Sequence, residues 1–218
     1  MATIDNAVEE IAKLRDLSVL VLNWAAERNF FGPGGSTAFD QRCKLLEEMG
    51  ELMTALNKGY RAEAKDAIGD ILVIAINIGG FAITDRLTEG KFRHTDLARH
   101  QFYWNFSSIL ASSYLLPVEY VSLQQRVEEG HVTPYTRKGL CMVMFEYQMK
   151  EPASLFWLMA LDLIAKSFDT TLLKCLEASY AVIKDRKGKM IDGAFVKEAD
   201  LAKTLAQASP MQAPETEE

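Results

Sequence analysis

The chain has 218 residues, 49% of them hydrophobic and 25% charged, so it can bury a sizeable core in one domain and is too apolar for a disordered polypeptide. A net charge of −6 argues against a general binder of nucleic-acid backbones, which needs a surplus of Lys and Arg on one face, while leaving room for a small polyphosphate held by local charge. Cys43, Cys141 and Cys175 are odd in number, far apart and in no ligand spacing, which disfavours a disulfide framework or a zinc site and fits a reducing cytoplasm.

The first residues, MATIDNAVEEIAKLRD, lack the basic-then-apolar order of an export signal, so a cytoplasmic protein is expected. They open a helix predicted over about Asp5 to Arg28, with Val8, Ile11, Leu14, Leu17 and Val21 as its apolar stripe. The run FFGPGGSTAF ends it as a flexible loop, and Ser36 or Thr37 caps a second helix whose core face is Leu45, Leu46, Met49, Leu52, Met53 and Leu56. Gly59 stops that helix, and a third follows at once, from about Arg61 to Asp85. Two helices joined so tightly pack antiparallel. The apolar run Ile71 to Ile83 is shorter than the ~20 residues that span a bilayer, so it reads as a buried helix and no membrane partner is expected.

From Thr95 the pattern stays helical, with Phe102, Phe106, Ile109 and Leu110 as a stripe and breaks near Pro117, Gly130, Pro134 and Pro152. The last strong helix is predicted from near Asp169, closed by Gly188. A short hairpin about Gly193, near Met190 to Val196, is the one piece of sheet expected, and the small, polar tail from residue 199 is expected to be disordered. The fold class is therefore all-α. The organisation expected is a single domain over 1–198, with a core at about 5–85 and 169–198 and a helical insertion at about 90–168.

The second and third helices carry the chemistry. Glu48 and Asp70 each lie eleven positions from Gly59, about 16 Å along their helices, so they sit level; Glu51 and Asp66 are nearly level, about 11 Å from the turn. Spacings of three and four put each helix's pair on one face. Four carboxylates facing one another repel unless a cation intervenes, and oxygen donors without Cys or His select Mg²⁺ or Mn²⁺, commonly bound together with substrate phosphates. The competing reading is a solvated acidic face, common on surface helices. Asp70 runs directly into the apolar ILVIAI, which makes that helix buried on several sides and weighs toward the metal.

The stretches LLEEMGELMTALNKG and AEAKDAIGDILVIAIN resemble the MazG-like, all-α nucleoside triphosphate pyrophosphatases, especially those of bacteriophages. The resemblance extends to Asn23-Trp24-Ala25 with Glu27-Arg28, to Gln41 and Lys44, and to Ala181 through Glu198, covering about half the chain. It implies a four-helix-bundle core in which an ExxE motif, here Glu48 and Glu51, and an ExxD motif ending at Asp70 hold Mg²⁺ against a triphosphate. The position three before Asp70 is Ala67, so one ligand of the pattern is missing, and Asp66 is the substitute. A third helix as apolar as Ile71 to Ile83 suggests a partner subunit to cover it, so a homodimer or homotetramer is expected. The resemblance further implies Lys44 near the substrate and a place in the host cytoplasm if a phage encodes the chain.

Other residues carry two readings each. Lys184, Arg186, Lys187 and Lys189 can neutralise phosphate oxygens, or complement a helix C-terminus; the resemblance tips Lys184 and Arg186 toward the substrate. Trp24 can stack on a base or pack in the core, and Asn77 can contact substrate or bond between helices. FGPGGST lacks the ending of a P-loop and is a weak phosphate signal. The reaction expected is Mg²⁺-assisted hydrolysis of a (deoxy)nucleoside triphosphate to the monophosphate and pyrophosphate, with Glu47 or Glu48 orienting or deprotonating the water. The rivals are a catalytically weak nucleotide sensor, favoured by Ala67, and a protein-interaction module on the same bundle.

Overall fold

A computed structural model describes residues 4–81, 84, 92, 93, 137–142, 144 and 155–203, and most of these are helical. Helix α1 spans Ile4–Glu27; of the predicted stripe Leu14, Leu17 and Val21 are buried and Ile11 is half-buried, and Leu22 and Ala25 join the core beside them. Asn29, in the left-handed region at φ 62°, turns the chain out of it. The following loop is tied down by its own hydrogen bonds: Asn29 Nδ2 donates to the Pro33 carbonyl at 3.0 Å, and the Ser36 amide to that of Phe30 at 2.9 Å.

Helix α2, Ala38–Lys58, starts at a capping box. The Thr37 hydroxyl accepts from the Asp40 amide at 3.1 Å and the Asp40 carboxylate accepts from the Thr37 amide at 2.8 Å, an arrangement worth about 1 kcal/mol to a helix start. Gly59, at φ 72°, ends α2 in the left-handed conformation that glycine adopts without strain. Helix α3, Arg61–Phe81, follows after Tyr60 and packs antiparallel along α2. The helix was expected to reach Asp85; it runs to Phe81, whose carbonyl accepts from the Thr84 hydroxyl at 3.1 Å.

Every residue from Ile71 to Asn77 is buried. Helices α1, α2, α4 (Leu155–Lys166) and α5 (Leu172–Ile183) all pack on α3. Its apolar girth is thus covered within one chain, and a covering subunit is not needed for it. No helix among the described residues is long and apolar enough to cross a membrane.

Three expectations are corrected. Leu46 faces solvent at 38% exposure, because one residue step from buried Leu45 turns the side chain about 100° away from α3. Helix α5 begins at Leu172 behind its cap Thr171, whose hydroxyl accepts from the Lys174 amide at 3.3 Å, and ends at Ile183; Gly188 does not close it but opens a strand. Glycine is required there for a different reason, since a Cβ would lie 2.3 Å from the Val196 carbonyl oxygen across the hairpin. The tail expected to be disordered from residue 199 is ordered through residue 203, for Glu198–Asp200 form a 3-10 turn and 201–203 are helical. Residues 204–218 and most of the expected insertion, with its Phe102 to Leu110 stripe, lie outside the described residues.

The expected hairpin is present. Strands β1 (Gly188–Ile191) and β2 (Ala194–Lys197) pair antiparallel, Met190 opposite Phe195. Asp192 at φ 48° and Gly193 at φ 80° supply the two positive φ angles of a type I′ turn, whose twist matches that of the strands.

Helices α3 and α5 meet where Gly69 has no side chain: a Cβ there would lie 2.1 Å from Ser179 Oγ and 2.4 Å from the Cys175 carbonyl oxygen. We expect Gly69→Ala to lower stability by about 1–3 kcal/mol in urea unfolding, the usual cost of overpacking. An unchanged midpoint would mean that α5 retreats freely from α3.

Candidate functional site

A cavity of about 720 Å³ opens between α1, α2, α3, the end of α5 and the hairpin, a volume in the range of small-molecule sites. Its α2 wall carries Gln41, Lys44, Glu48 and Glu51, spaced by three and four so that they share a face, with Glu47 and Cys43 toward the rim. From α3 come Asp70, Val73, Ile74 and Asn77, again one helical face. Trp24 and Phe30 form the inner apolar wall, Arg186 closes the end of α5, and the hairpin adds Asp192, Phe195 and Lys197.

The parts are held by identifiable contacts. Arg28 Nε donates to the Arg186 carbonyl at 3.1 Å and its Nη2 to the Lys184 carbonyl at 3.3 Å, which fastens the base of the hairpin to α1. Phe195 packs on Phe30 with ring centroids 5.9 Å apart and on Trp24 at 5.8 Å. At the hairpin tip, a Cβ on Gly193 would come within 2.7 Å of Asp40 Oδ2, so the turn rests against the start of α2. Gln41 is fixed by donating to Ser36 Oγ at 2.9 Å.

Lys44 Nζ lies 2.8 Å from Glu47 Oε1 and 2.9 Å from Glu48 Oε1. Burial pulls the ammonium's pKa down, but the hydrogen bonds to both glutamates outweigh it and the pKa is raised. Glu48 is only 5% exposed, and its second oxygen, Oε2, has no hydrogen-bond partner. Burial raises the pKa of this carboxyl, Lys44 pulls the other way, and the charges of Asp70 and Glu51 add to the rise. Asp70 is raised by burial as well, with Asp66 and Glu51 reinforcing and the nearby Ser179 hydroxyl and Arg186 opposing. Ser179 Oγ itself makes no hydrogen bond of ordinary geometry.

Among the described residues no three His, Cys, Asp or Glu side chains are close enough together to grip an ion unaided. The carboxylates form an open anionic wall rather than a closed cage. Such a wall fits Mg²⁺, which keeps several waters and takes one or two carboxylates together with substrate phosphates. The bare, buried Oε2 of Glu48 is the donor most in need of a cation.

Of the residues singled out in the sequence, Glu47, Glu48, Glu51, Asp70, Lys44, Trp24, Asn77 and Arg186 line this one cavity. Asp66 and Lys184 do not: both side chains are exposed, and Lys184 contributes its carbonyl to Arg28 rather than its ammonium to the cavity. Asp66 faces out because Ala67, one residue and about 100° on, takes the inward position at 3% exposure. Phe30, Asp40 and Asp192 had no sequence signal as cavity residues, although the Thr37-to-Asp40 spacing marks a capping box.

Comparison with known proteins adds no assignment: no family model, no curated protein and no solved structure matches the chain.

Two outcomes follow from this geometry. A carboxyl whose folded pKa is raised stabilises the protein below its unfolded pKa and loses that contribution as pH rises through the folded value. Asp70→Asn and Glu48→Gln should therefore raise the melting temperature at pH 7 without added metal, with the gain shrinking toward pH 4; lower melting at both pH values would contradict the assigned strain. Cys43 is exposed at the rim while Cys141 and Cys175 are buried, with the Cys141 thiol pushed up to about 11 by burial. A maleimide should modify Cys43 alone in the native protein, and labelling of either buried thiol at a comparable rate would show that the core opens.

Proposed function

We propose that this chain is a Mg²⁺-dependent nucleoside triphosphate pyrophosphohydrolase, built on a MazG-like core of α1, α2, α3 and α5 and acting in control of a nucleotide pool. The observation that carries this reading is one cavity whose lining combines the acids Glu48, Glu51 and Asp70 with the cations Arg186 and Lys197 in a space of nucleotide size. Cations beside carboxylates suit a ligand that brings both phosphates and a divalent ion.

Glu48, Glu51 and Asp70 would hold the metal. When bound, Mg²⁺ supplies neutralisation of the phosphate charge and a more acidic water. Arg186 and Lys197 place positive charge against the phosphate oxygens, orienting the chain of phosphates along the α2 wall. The attacking water adds its oxygen to the α-phosphorus, the bond from that phosphorus to the bridging oxygen breaks, and pyrophosphate leaves. Glu47, exposed at the rim and held by Lys44, is placed to take the water's proton.

A second reading, a nucleotide sensor with little turnover, draws on two observations: Ala67 fills the position where the ExxD pattern carries a glutamate, and Lys44 already occupies Glu47 and Glu48. Pyrophosphate release from a panel of NTPs and dNTPs with and without Mg²⁺ separates the two. Hydrolysis of at least one triphosphate is expected, with Glu51→Gln and Asp70→Asn reducing kcat/KM by about 100-fold or more and Arg186→Ala mainly raising KM. Asp66→Asn should stay within a few-fold of the unmodified protein, since its side chain is outside the cavity. Nucleotide-dependent thermal stabilisation without release would favour the sensor, and neither response would end both readings.

A further inference from the structure

The cavity has apolar lining from Phe30, Val73, Ile74 and Phe195, and two other residues that line it, Trp24 and Asn77, each hold a buried polar atom with no hydrogen-bond partner. Trp24 is 6% exposed and its indole Nε1 has no hydrogen-bond partner; Asn77 is 1% exposed and its Oδ1 has none. Buried polar atoms are nearly always paired, so two orphans on one cavity wall point to a ligand that pairs them. One is a fixed donor and the other an acceptor, from α1 and α3 respectively.

The surroundings of Trp24 narrow the ligand's mode of binding. Its ring is enclosed by Phe30 at 5.3 Å and Phe195 at 5.8 Å between centroids, with the Arg28 guanidinium 4.9 Å from the ring centre. The indole face is therefore spent on packing, and the group left without a partner at this residue is its N–H. A site that binds by stacking tolerates any base, whereas a site that binds by buried hydrogen bonds rejects a ligand that leaves them unmade.

We propose that Trp24 Nε1 and Asn77 Oδ1 together read the polar edge of the substrate's base, so that the site selects one base rather than accepting nucleotides at large. This rests on the nucleotide reading above. The base lies inward, between the two groups, with an acceptor toward Trp24 and an N–H toward Asn77, while the phosphates extend toward Glu48, Asp70 and Arg186.

The test is calorimetric titration of the full chain with each common deoxynucleoside, and separately with inorganic tripolyphosphate and Mg²⁺, which probes the phosphate end alone. One nucleoside should bind at least tenfold more tightly than the others. Trp24→Phe and Asn77→Leu, which keep the packing and remove the hydrogen bond, should each weaken it by about tenfold while tripolyphosphate binding is retained. Should either variant fail to fold, the favoured nucleoside methylated on its base N–H takes its place against the unmodified protein, with the same tenfold loss expected. Equal affinity for all nucleosides, no nucleoside binding, or no loss with the variants or the methylated ligand overturns the proposal. Pyrophosphate release without base preference would overturn it and leave the hydrolase reading standing, while base selection without hydrolysis would do the reverse.

Discussion

The register between α2 and α3 is set by Gly59, and the rest of the cavity depends on it. Its left-handed conformation reverses the chain in two residues and commits the helices to antiparallel packing. Because Glu48 and Asp70 are equally far from that turn, their carboxylates arrive at the same depth. A longer connection would let one helix slide by a turn, about 5.4 Å, and separate them. The capping box at Thr37 fixes the other end of α2, so the acidic face is held at both ends by local backbone chemistry rather than by contacts among the acids.

That arrangement works against itself in the ligand-free state. Two carboxyls, Glu48 and Asp70, are raised by burial and by neighbouring acids, and the bare oxygen of Glu48 is desolvated without compensation. Lys44 offsets part of this by bridging Glu47 and Glu48. The rest is borne by packing elsewhere: Leu52, Ile68 and Leu72 are fully buried beside the site, and burial of such side chains contributes roughly 1.5–3 kcal/mol each. Strain concentrated at a cavity and supported by an apolar core is the pattern expected where a site is shaped for something it must bind.

The parts legible in the sequence were those set by local rules. Helical spacing gave Leu14, Leu17 and Val21 of the α1 stripe and the acidic face of α2, Thr37 and Gly59 marked the ends of α2, and Gly193 marked the hairpin. The mostly helical architecture followed from the same periodicity. What escaped was set by partners far away in the chain. Spacing alone left Trp24 open between stacking on a base and core packing until Phe195 arrives on its ring, and Arg28 gives no hint that its partners are the main-chain carbonyls of Lys184 and Arg186. Asp66 was expected at the site from its depth, its spacing from Asp70 and the resemblance, yet one residue step, about 100° of rotation, leaves Ala67 buried and Asp66 exposed.

The hairpin tip at Gly193 leaves no room for a methyl group against Asp40, whose carboxylate completes the capping box by accepting from the Thr37 amide. The doorway of the cavity is thus framed by main chain on one side and by a helix cap on the other, and neither can be trimmed or enlarged by exchanging a side chain without disturbing the start of α2. Diversification of what enters would have to proceed through the inner wall, leaving the threshold itself as an invariant dimension of the architecture.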